Sequence, residues 1–569
     1  MGFMPSTTRV AVLVGAVTLA VVLLAATGPP APVVLPADGT KAVRGAFHIH
    51  TTRSDGALPK AGVAAAAARA GLAFAVFTDH GDGTRPPDPP EYLHGVLCVD
   101  GVEISTNDGH YIALDLPATP YPLRGDGSAV AEDVRRLGGF GIAAHPWSPR
   151  EDLAWSDWAV PIDGLEWLNA DSEWRDEGGP RLARALVDYL WRPAAALAAL
   201  LDRPARTLAA WDDLAASRPV VALAGHDAHG GIGAEGEEGG GGGRRLHVPS
   251  YEATFRAFSL YVDLDAPLGG EAAADAERLV SAIRNGQIFT GVDALASPAT
   301  LQFRGTSAGV TVTTGGRLPA GPTARFSVRS HAPPGATTRL LRNGVTVAEA
   351  HGGVVHHEDS EAGAYRAEVV LAGRRGGVPW VLSNPIYWLD ETTLPSSRSG
   401  LPEGVDAGGV AAPQAWRVEA SAGSAGTVEA GEHEATVFFR LQPEGAASPF
   451  VALAIPLEAL TRPDRLAFRG RADRPMRVSV QLRFTAAEAR WARSVYLDAE
   501  EREVQVPIDN LRPAATAAAR PPLSQATSLL FVVDLTNARP GDTGQFTIGH
   551  VAFQQPGATA PGASAAPAP

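Results

Sequence analysis

Residues 47–56 read FHIHTTRSDG. His48 and His50 follow an apolar run, and Asp55 stands five positions after the second histidine, directly before a glycine. Side chains alternate along a strand, so both histidines are expected on one side, at the carboxyl end of a buried strand. Parallel αβ folds build their active sites at that end. The stretch therefore predicts either a strand end with two surface histidines or the first half of a metal site.

Further apolar runs between residues 42 and 295 end in the same kind of residue. They read LAFAVFTDH, GVLCVDGVEIS, GGFGIAAHPW, PIDGLEWLN and PVVALAGHDAH, and their polar ends, with the GHYIAL segment, supply His80, Glu103, His110, His145, Asp227 and His229. Two helical patterns, ALPKAGVAAAAARAG and SAVAEDVRRLGG, lie between these runs, the second with Ser128 as a candidate cap. This alternation predicts a parallel sheet that forms a barrel or a distorted barrel over residues 41–296.

The predicted rim carries nine potential ligands. Taken singly, each histidine is more often a hydrogen-bonded rim or core residue than a ligand. Taken together, partly buried carboxylates and imidazoles without a counter-charge cost several kcal/mol each, so the cluster would destabilise the fold unless cations neutralise it. The sequence therefore predicts a metal centre.

The rest of the chain changes character. Residues 297–390 contain short alternating segments with Gly and Pro turns, which predict a small β-sandwich. Residues 391–412 read as a linker, 413–555 as a second, jelly-roll-like β-sandwich, and 556–569 as a disordered tail. We expect a multidomain protein with an αβ barrel followed by two β-sandwich-like domains.

Composition limits the setting and the partners. The net charge of −14 argues against nucleic acid, because no segment supplies a concentrated basic surface. Cys98 is the only cysteine, which excludes an intrachain disulfide and a thiolate zinc site, and it is expected to be buried. Residues 10–26 are uncharged and apolar, so residues 1–40 predict either a cleaved export signal or a membrane anchor. The protein is expected to be exported, as a periplasmic, cell-surface or secreted protein, with membrane contact only through this segment.

The motifs HIHTTRSDG, TDH, GVEIS with GHYIAL, AAHPW and GHDAHG resemble those of the polymerase and histidinol phosphatase (PHP) superfamily. PWVLSNPIYW resembles the end of its carbaryl-hydrolase-like (CehA/McbA) branch. The resemblance implies a distorted (β/α)7 barrel and two or three divalent ions. One ion would take His48, His50, Glu103 and Asp227, a second would share Glu103 and add His110 and His145, and a third would take Asp55, His80 and His229. Nitrogen and oxygen ligands without sulfur suit Zn²⁺, Mn²⁺ or Fe²⁺, and the sequence does not choose among them.

Two such ions would activate a bridging water, so hydrolysis needs no serine or cysteine nucleophile. Glu103, Asp227 and His229 are the predicted catalytic residues. Arg53 is a candidate anion contact or a solvated loop residue, and Glu166 and Asn169 are candidate pocket residues or loop caps. The segment 187–201, VDYLWRPAAALAALL, reads as a packed helical insertion or as a membrane-touching helix.

Three functions remain open. The first is a metal-dependent phosphoesterase, and the second a hydrolase of carbamates, amides or carboxylic esters, because the same bridged hydroxide attacks phosphorus or carbonyl carbon. Both imply a small-molecule substrate. The third is a non-enzymatic glycan-binding or adhesion protein with a scaffold barrel, which the pattern of the C-terminal sandwich suggests only by analogy.

Overall fold

The structure is a computed structural model. It describes residues 28–36, 42–231, 248–372, 377–389, 404–406, 408–443, 448–458, 460, 462–485, 489–514 and 519–556. Most of the predicted export or anchor segment, most of the predicted linker and nearly all of the predicted tail lie outside these ranges. Within them, no helix is both long enough and apolar enough to span a bilayer.

The chain divides into two compact units. The first comprises Met1–Gly81, Pro87–Pro117 and Val134–Pro395, and the second comprises Asp82–Pro86, Ala118–Asp133 and Ser396–Pro569. The elements up to residue 389 are, in chain order, β1 (Val33–Val34), β2 (Val43–Ala46), α1 (Lys60–Arg69), β3 (Phe74–Phe77), β4 (Glu91–Leu93), β5 (Val96–Thr106), β6 (Gly109–Leu114), α2 (Gly127–Arg136), β7 (Phe140–Ala143), β8 (Gly164–Asn169), α3 (Ala170–Arg175), α4 (Gly179–Tyr189), α5 (Pro193–Ala198), α6 (Ala205–Ala215), β9 (Val221–Gly225), α7 (Tyr251–Phe255), β10 (Ser259–Val262), α8 (Ala272–Arg284), β11 (Ile288–Gly291), β12 (Ala296–Ser297), β13 (Gln302–Ser307), β14 (Val310–Thr313), β15 (Ala324–Arg329), β16 (Ala336–Arg342), β17 (Val345–His351), β18 (Val354–Asp359), β19 (Gly363–Leu371), β20 (Val381–Ser383) and β21 (Ile386–Trp388).

The first unit contains a ring of strands. Strands β2, β3, β5, β6, β7, β8 and β9 are hydrogen-bonded in that order. Beyond the ends of β2 and β9 the ring closes through backbone bonds, in which His226 donates to Phe47, Ala228 to His48 and His50 to Ala228. The neighbours of this ring pair in parallel, except that β6 is antiparallel to both β5 and β7.

Helices do not alternate regularly with these strands. Helix α1 connects β2 to β3, α2 lies between β6 and β7, and α3 to α6 lie between β8 and β9, whereas β3 leads to β5 through β4 and β5 leads directly to β6. The expected (β/α)7 pattern is therefore not confirmed, although the sheet-rich, multidomain architecture is present. Helix α2 begins at Gly127, with the backbone oxygen of Asp126 accepting from Ala129 and Val130, so Ser128 lies inside the helix and is not its cap.

Local sequence explains why strand β3 and helix α1 form. Every residue of β3, FAVF, is buried, as a strand covered on both faces requires. Helix α1 buries Val63 and Ala66 of its alanine-rich stretch. It ends before Gly71, whose φ of +76° glycine adopts without steric cost.

Residues 297–389 continue the sheet of the first unit. Strands β17, β16, β19 and β20 extend it through pairing between β20 and β11. Strands β14, β13, β15 and β18 form a separate four-stranded sheet, and the rings of Phe326 and Tyr365 stack between the two at 3.9 Å. The sandwich-like pattern of this segment is thus built onto the barrel sheet.

The second unit is antiparallel. Its elements from residue 404 are β22 (Gly404–Asp406), β23 (Arg417–Ala420), β24 (Ala425–Ala430), β25 (Glu434–Arg440), β26 (Phe450–Pro456), β27 (Arg465–Ala472), β28 (Met476–Phe484), β29 (Arg490–Leu497), β30 (Arg502–Pro507), β31 (Arg512–Pro513), β32 (Ala526–Asp534) and β33 (Thr543–Pro556). They form two six-stranded sheets, in which Phe468 of one meets Phe531 of the other edge-to-face at 5.0 Å. Strand β22 falls within the segment expected to be a linker and pairs with β33.

Candidate metal centre

The nine predicted ligands converge at one end of the strand ring. His48 and His50 follow β2, His80 follows β3, His145 follows β7, and Asp227 and His229 follow β9. Glu103 lies within β5, and His110 lies at the start of β6. Because β6 is antiparallel to its neighbours, its start lies at the same end of the ring as the carboxyl ends of the parallel strands.

Backbone conformation, not strand alternation, sets the direction of three of these side chains. Strand β2 ends at Ala46, and His48 has a φ of +63°. His145 and Asp227 also have positive φ, 28° and 45°. Such conformations are costly for residues with a Cβ and occur mostly where the surrounding structure imposes them, as at functional sites.

Glu103 is the centre of the cluster. Its Oε2 lies 3.2 Å from Nε2 of both His48 and His50, and 3.3 Å from Nδ1 of His80. Its Oε1 lies 2.8 Å from Nδ1 of His110 and 2.9 Å from Nε2 of His145. The two oxygens thus face different sets of imidazoles, which is the arrangement of a carboxylate that bridges two cations.

Two aspartates complete the set. Asp227 Oδ1 lies 3.4 Å from Nε2 of His48 and 3.3 Å from Nε2 of His50. Asp55 Oδ2 lies 3.1 Å from Nε2 of His229 and 3.7 Å from Nε2 of His80. All nine residues therefore belong to one contiguous cluster.

Donor atoms within 4.8 Å of one another fall into four groups. These are His50, Asp55, His80 and His229; His48, Glu103 and His145; His48, His50 and Asp227; and His80, Glu103 and His110. The groups overlap the three expected ligand sets but divide them differently: His50 also joins the Asp55 group, and His80 joins the Glu103–His110 group. Which ions the ligands share stays a prediction.

The donor set fits divalent cations. Nε2 of His48, Nε2 of His50, Nδ1 of His80 and Nδ1 of His145 are buried and, within the described residues, make no hydrogen bond of normal geometry, although the first three lie 3.2–3.3 Å from Oε2 of Glu103. Burial alone would raise the pKa of Glu103, but His48, His80 and His110 hold it well below its ordinary value. Burial alone would lower the pKa of His50, but Asp227 and Glu103 raise it to about 10. The buried carboxylates thus stabilise positive charge next to them, and divalent ions bound between the carboxylates and the imidazoles would provide that charge.

Glu166 positions two of the ligands. It is buried, its Oε1 accepts from Nδ1 of His48 at 2.6 Å, and its Oε2 accepts from the backbone N–H of His145 at 2.7 Å. Asn169 donates to Oε2 of Glu166 at 2.8 Å and to Asp227 at 3.3 Å. Because Glu166 occupies one ring nitrogen of His48, the other nitrogen is left for a metal. Glu166 and Asn169, the two predicted pocket residues, thus contact predicted metal ligands.

Arg53 and Asp79 hold the loop between the ligands. Arg53 donates to both oxygens of Asp100, at 2.9 and 3.1 Å, and is paired with Asp88. Asp79 accepts from the backbone and hydroxyl of Thr51, at 2.7 and 2.8 Å, and from Ser54 at 2.7 Å. Arg53 is therefore ion-paired in this structure and is not a free guanidinium. The sequence had not indicated that Asp79 holds the loop of residues 51–54.

A cavity of about 760 Å³ opens beside the cluster. Asp55, His80, Glu103, Asp227 and His229 are among the ligands that line it. Apolar residues also line it, namely Leu153, Trp174, Leu197, Leu200 and Leu201. Neither Arg53, Glu166 nor Asn169 is among the lining residues.

Further polar residues line this cavity, namely Arg150, Asp171, Glu173 and Arg175. Burial, aided by the charges of Asp176, Asp202 and Glu177, raises the pKa of Glu173 to about 8, so its carboxyl keeps a proton at neutral pH. None of these residues belongs to a motif. Their position follows from the path of the chain between β8 and β9, so no local pattern could have identified them.

His226 and Cys98 are structural. His226 stacks on Phe258 at 4.3 Å, and burial lowers its pKa to about 4. Cys98 is fully buried.

No protein-family model matches the sequence, and no curated protein matches it. Among solved structures, a two-domain protein from Bacteroides vulgatus that contains a predicted PHP-like metal-dependent phosphoesterase is similar, with 14% identity and a TM-score of 0.29, over 62% of this chain and 98% of that one. A family 11 carbohydrate-binding module of Clostridium thermocellum is similar, with 12% identity and a TM-score of 0.21, over 28% of this chain and 96% of the module. At these scores neither likeness decides a function.

Proposed function

We propose that the chain is a metal-dependent hydrolase of the PHP type. The observation that carries the proposal is the convergence of nine histidine and carboxylate side chains from separate strands, with Glu103 within 3.3 Å of five of the imidazoles. A scaffold has no physical need for this arrangement, because burying carboxylates and imidazoles together without cations costs free energy. The non-enzymatic alternative is therefore disfavoured.

When bound, paired divalent ions lower the pKa of a coordinated water and polarise the bond under attack. The residues of the chain do the rest. Glu103, Asp227 and His229 would help to hold the ions, and Glu166 keeps Nε2 of His48 directed at the cluster. Leu200 and Trp174 also line the cavity and offer apolar surface to a substrate.

The reaction we propose first is the hydrolysis of phosphate esters. Arg150 and Arg175 line the cavity, although each is paired with an aspartate, Asp152 and Asp171 respectively, and an ion at the Asp55 group would add positive charge for an anionic group. One observation favours the second candidate, hydrolysis of carbamates, amides or carboxylic esters: a wall of leucines and one tryptophan suits a neutral, apolar substrate. In both cases the substrate is a small molecule with an apolar part.

A comparison of Glu103→Gln with Glu91→Gln tests the mechanism. Glu91 is exposed and carries a surface ion pair with Lys60, so its variant controls for loss of an acidic side chain. Purified full-length chain, reconstituted with Zn²⁺, Mn²⁺ or Fe²⁺, would be assayed on aryl phosphomonoesters, phosphodiesters and carbamates. We expect Glu103→Gln to lose at least roughly 100-fold in kcat/KM, since removing a ligand costs more than removing an outer contact, and Glu91→Gln to keep full activity.

The same panel decides the order of the candidates. Turnover of aryl carbamates without phosphatase activity would reverse it. Activity that survives exhaustive chelation would contradict the metal mechanism, and a fully metal-loaded chain that hydrolyses none of the panel would favour the binding or adhesion role.

We also propose that the protein is exported and held or released at residues 1–40, and that its C-terminal sandwich contacts glycans only as a secondary role. The first rests on the apolar run 10–26. The second rests on sandwich architecture alone.

A further inference from the structure

Helix α4 presents its apolar side to the outside. Ala183, Leu186, Val187 and Leu190 recur at the spacing of one helix face, and the last three are 54%, 39% and 82% exposed. Trp191, directly after the helix, is 52% exposed. We refer to Leu186, Val187, Leu190 and Trp191 as the outer apolar face.

Two polar residues of the same helix contact the rest of the protein. Asp188 is buried and accepts from Arg184 at 2.8 Å, and the hydroxyl of Tyr189 bonds Ser250 at 3.2 Å. Arg181 pairs with Asp202 at 2.8 Å. Large apolar side chains grouped on one exposed helix face are unusual on a surface that meets water, so the outer apolar face is suited to an apolar environment.

The N-terminal segment reaches the outer apolar face. Gly28 and Pro29 line a small cavity of about 60 Å³ together with Leu190 and Trp191. Arg192 fixes this contact by donating from Nη1 to the backbone oxygen of Pro29 at 2.6 Å. A single residue, Thr27, separates Gly28 from the uncharged apolar run 10–26. The first described residues therefore lie beside the outer apolar face.

We propose that the outer apolar face rests in the interfacial layer of a lipid bilayer, next to the point where residues 10–26 enter it as a retained anchor. If these 17 residues formed a helix, a rise of 1.5 Å per residue would give about 26 Å, close to the hydrocarbon thickness of about 30 Å. Tryptophan prefers the headgroup region, and exposed leucines insert just below it. Arg192 is exposed beside them and can meet lipid phosphate. This surface is independent of the proposed catalytic function.

The proposal can be tested by labelling single cysteines, because the one native cysteine is buried. Burial raises the pKa of Cys98, the only cysteine, to about 11, so a thiol reagent at neutral pH should label only an introduced cysteine. The variants are Leu190→Cys and, as a matched control, Val345→Cys, which replaces another exposed apolar residue of the same unit, 68% exposed on β17. Each would carry a polarity-sensitive fluorophore in full-length protein reconstituted into vesicles of equal parts phosphatidylcholine and phosphatidylglycerol.

We expect the label at position 190 to shift to shorter wavelength, and lipid-borne spin labels to quench it roughly three-fold more than the label at position 345. Adding Leu186→Asp and Trp191→Asp to Leu190→Cys should remove this difference while leaving metal content unchanged. Equal quenching at both positions would overturn the proposal. A shift that depends on protein concentration in lipid-free detergent would also overturn it, in favour of contact with a second copy of the chain.

Discussion

At the scale of single residues, the cluster shows that the type of a side chain and its orientation have to be predicted from different information. The residue types at strand ends were enough to predict nine ligands, and all nine converge. Direction depends on contacts that the sequence does not display: Glu166 lies 118 positions from His48, yet it decides which ring nitrogen of His48 faces the cluster. Predicted as a pocket or loop residue, Glu166 is buried against the ligands.

Glu173 leads to a prediction about pH. Burial raises the pKa of its carboxyl from 4.5 to about 8, with further contributions from the charges of Asp176, Asp202 and Glu177. The folded state therefore holds the proton more tightly than the unfolded state. The stability that this group contributes is complete below its unfolded pKa and is lost as pH rises towards 8, at about 1.4 kcal/mol per pH unit.

Glu173→Gln should remove this dependence, because the amide oxygen can still accept from the backbone N–H of Asp202, which lies 2.6 Å from Oε2. We expect the thermal midpoint of the variant, relative to that of the unmodified chain, to increase between about pH 5 and pH 8. Thermal unfolding of both proteins at the two pH values provides the check. Parallel changes in both proteins would show that Glu173 ionises normally in the folded state.

At the scale of elements, the ring of strands brings the ends of β8 and β9 into close contact. Asn169 of β8 pairs with Gly225 of β9, the first residue of the GHDAH motif. A Cβ built on Gly225 would lie 1.8 Å from Oε1 of Glu166. Only glycine therefore leaves room for the carboxylate that orients His48.

Gly225→Ala should displace Glu166 and weaken metal binding by about 10- to 100-fold, the usual cost of losing a contact that orients a ligand. We also expect a loss of about 1–3 kcal/mol in unfolding free energy from overpacking. The control is Gly179→Ala, since a Cβ there meets no atom within 4 Å. Titration with a competing chelator and thermal unfolding measure the two effects; unchanged metal affinity in Gly225→Ala would show that Glu166 does not orient the site.

At the scale of the whole molecule, distant parts of the chain build the second unit. Residues 118–133 belong to it, although they lie between strands of the first unit in sequence. Arg477 joins this segment to β28 through two bonds to Asp133, at 2.7 and 2.9 Å, and one to the backbone of Ala129 at 3.0 Å. Both Arg477 and Asp133 are buried, so each charge depends on the other.

Arg477→Met should therefore destabilise the protein by about 3–5 kcal/mol, because it removes the guanidinium that pairs with the buried Asp133 carboxylate. The double variant Arg477→Met, Asp133→Leu should recover most of this loss, since it removes both charges. Urea denaturation of the two single variants and the double variant provides the measurement. A double variant as unstable as the sum of the singles would indicate that the two charges are not coupled.

What the sequence by itself determined is local: strands that end in histidines and carboxylates, the alanine-rich helix α1 and the β-rich character of residues beyond 297. These features repeat over a few residues, and side-chain period and turn chemistry are enough to produce them. The regular (β/α)7 alternation was not confirmed, because β5 and β6 connect directly and β6 runs antiparallel to its neighbours.

Only the tertiary structure decided the contacts of Glu166, the apolar wall of the cavity, the outward orientation of helix α4 and the recruitment of residues 118–133 into the second unit. Each of these joins groups that are far apart in sequence or sets the direction of a face. Such relations depend on the path of the whole chain, because a helix or strand of given composition can turn either side towards its neighbours.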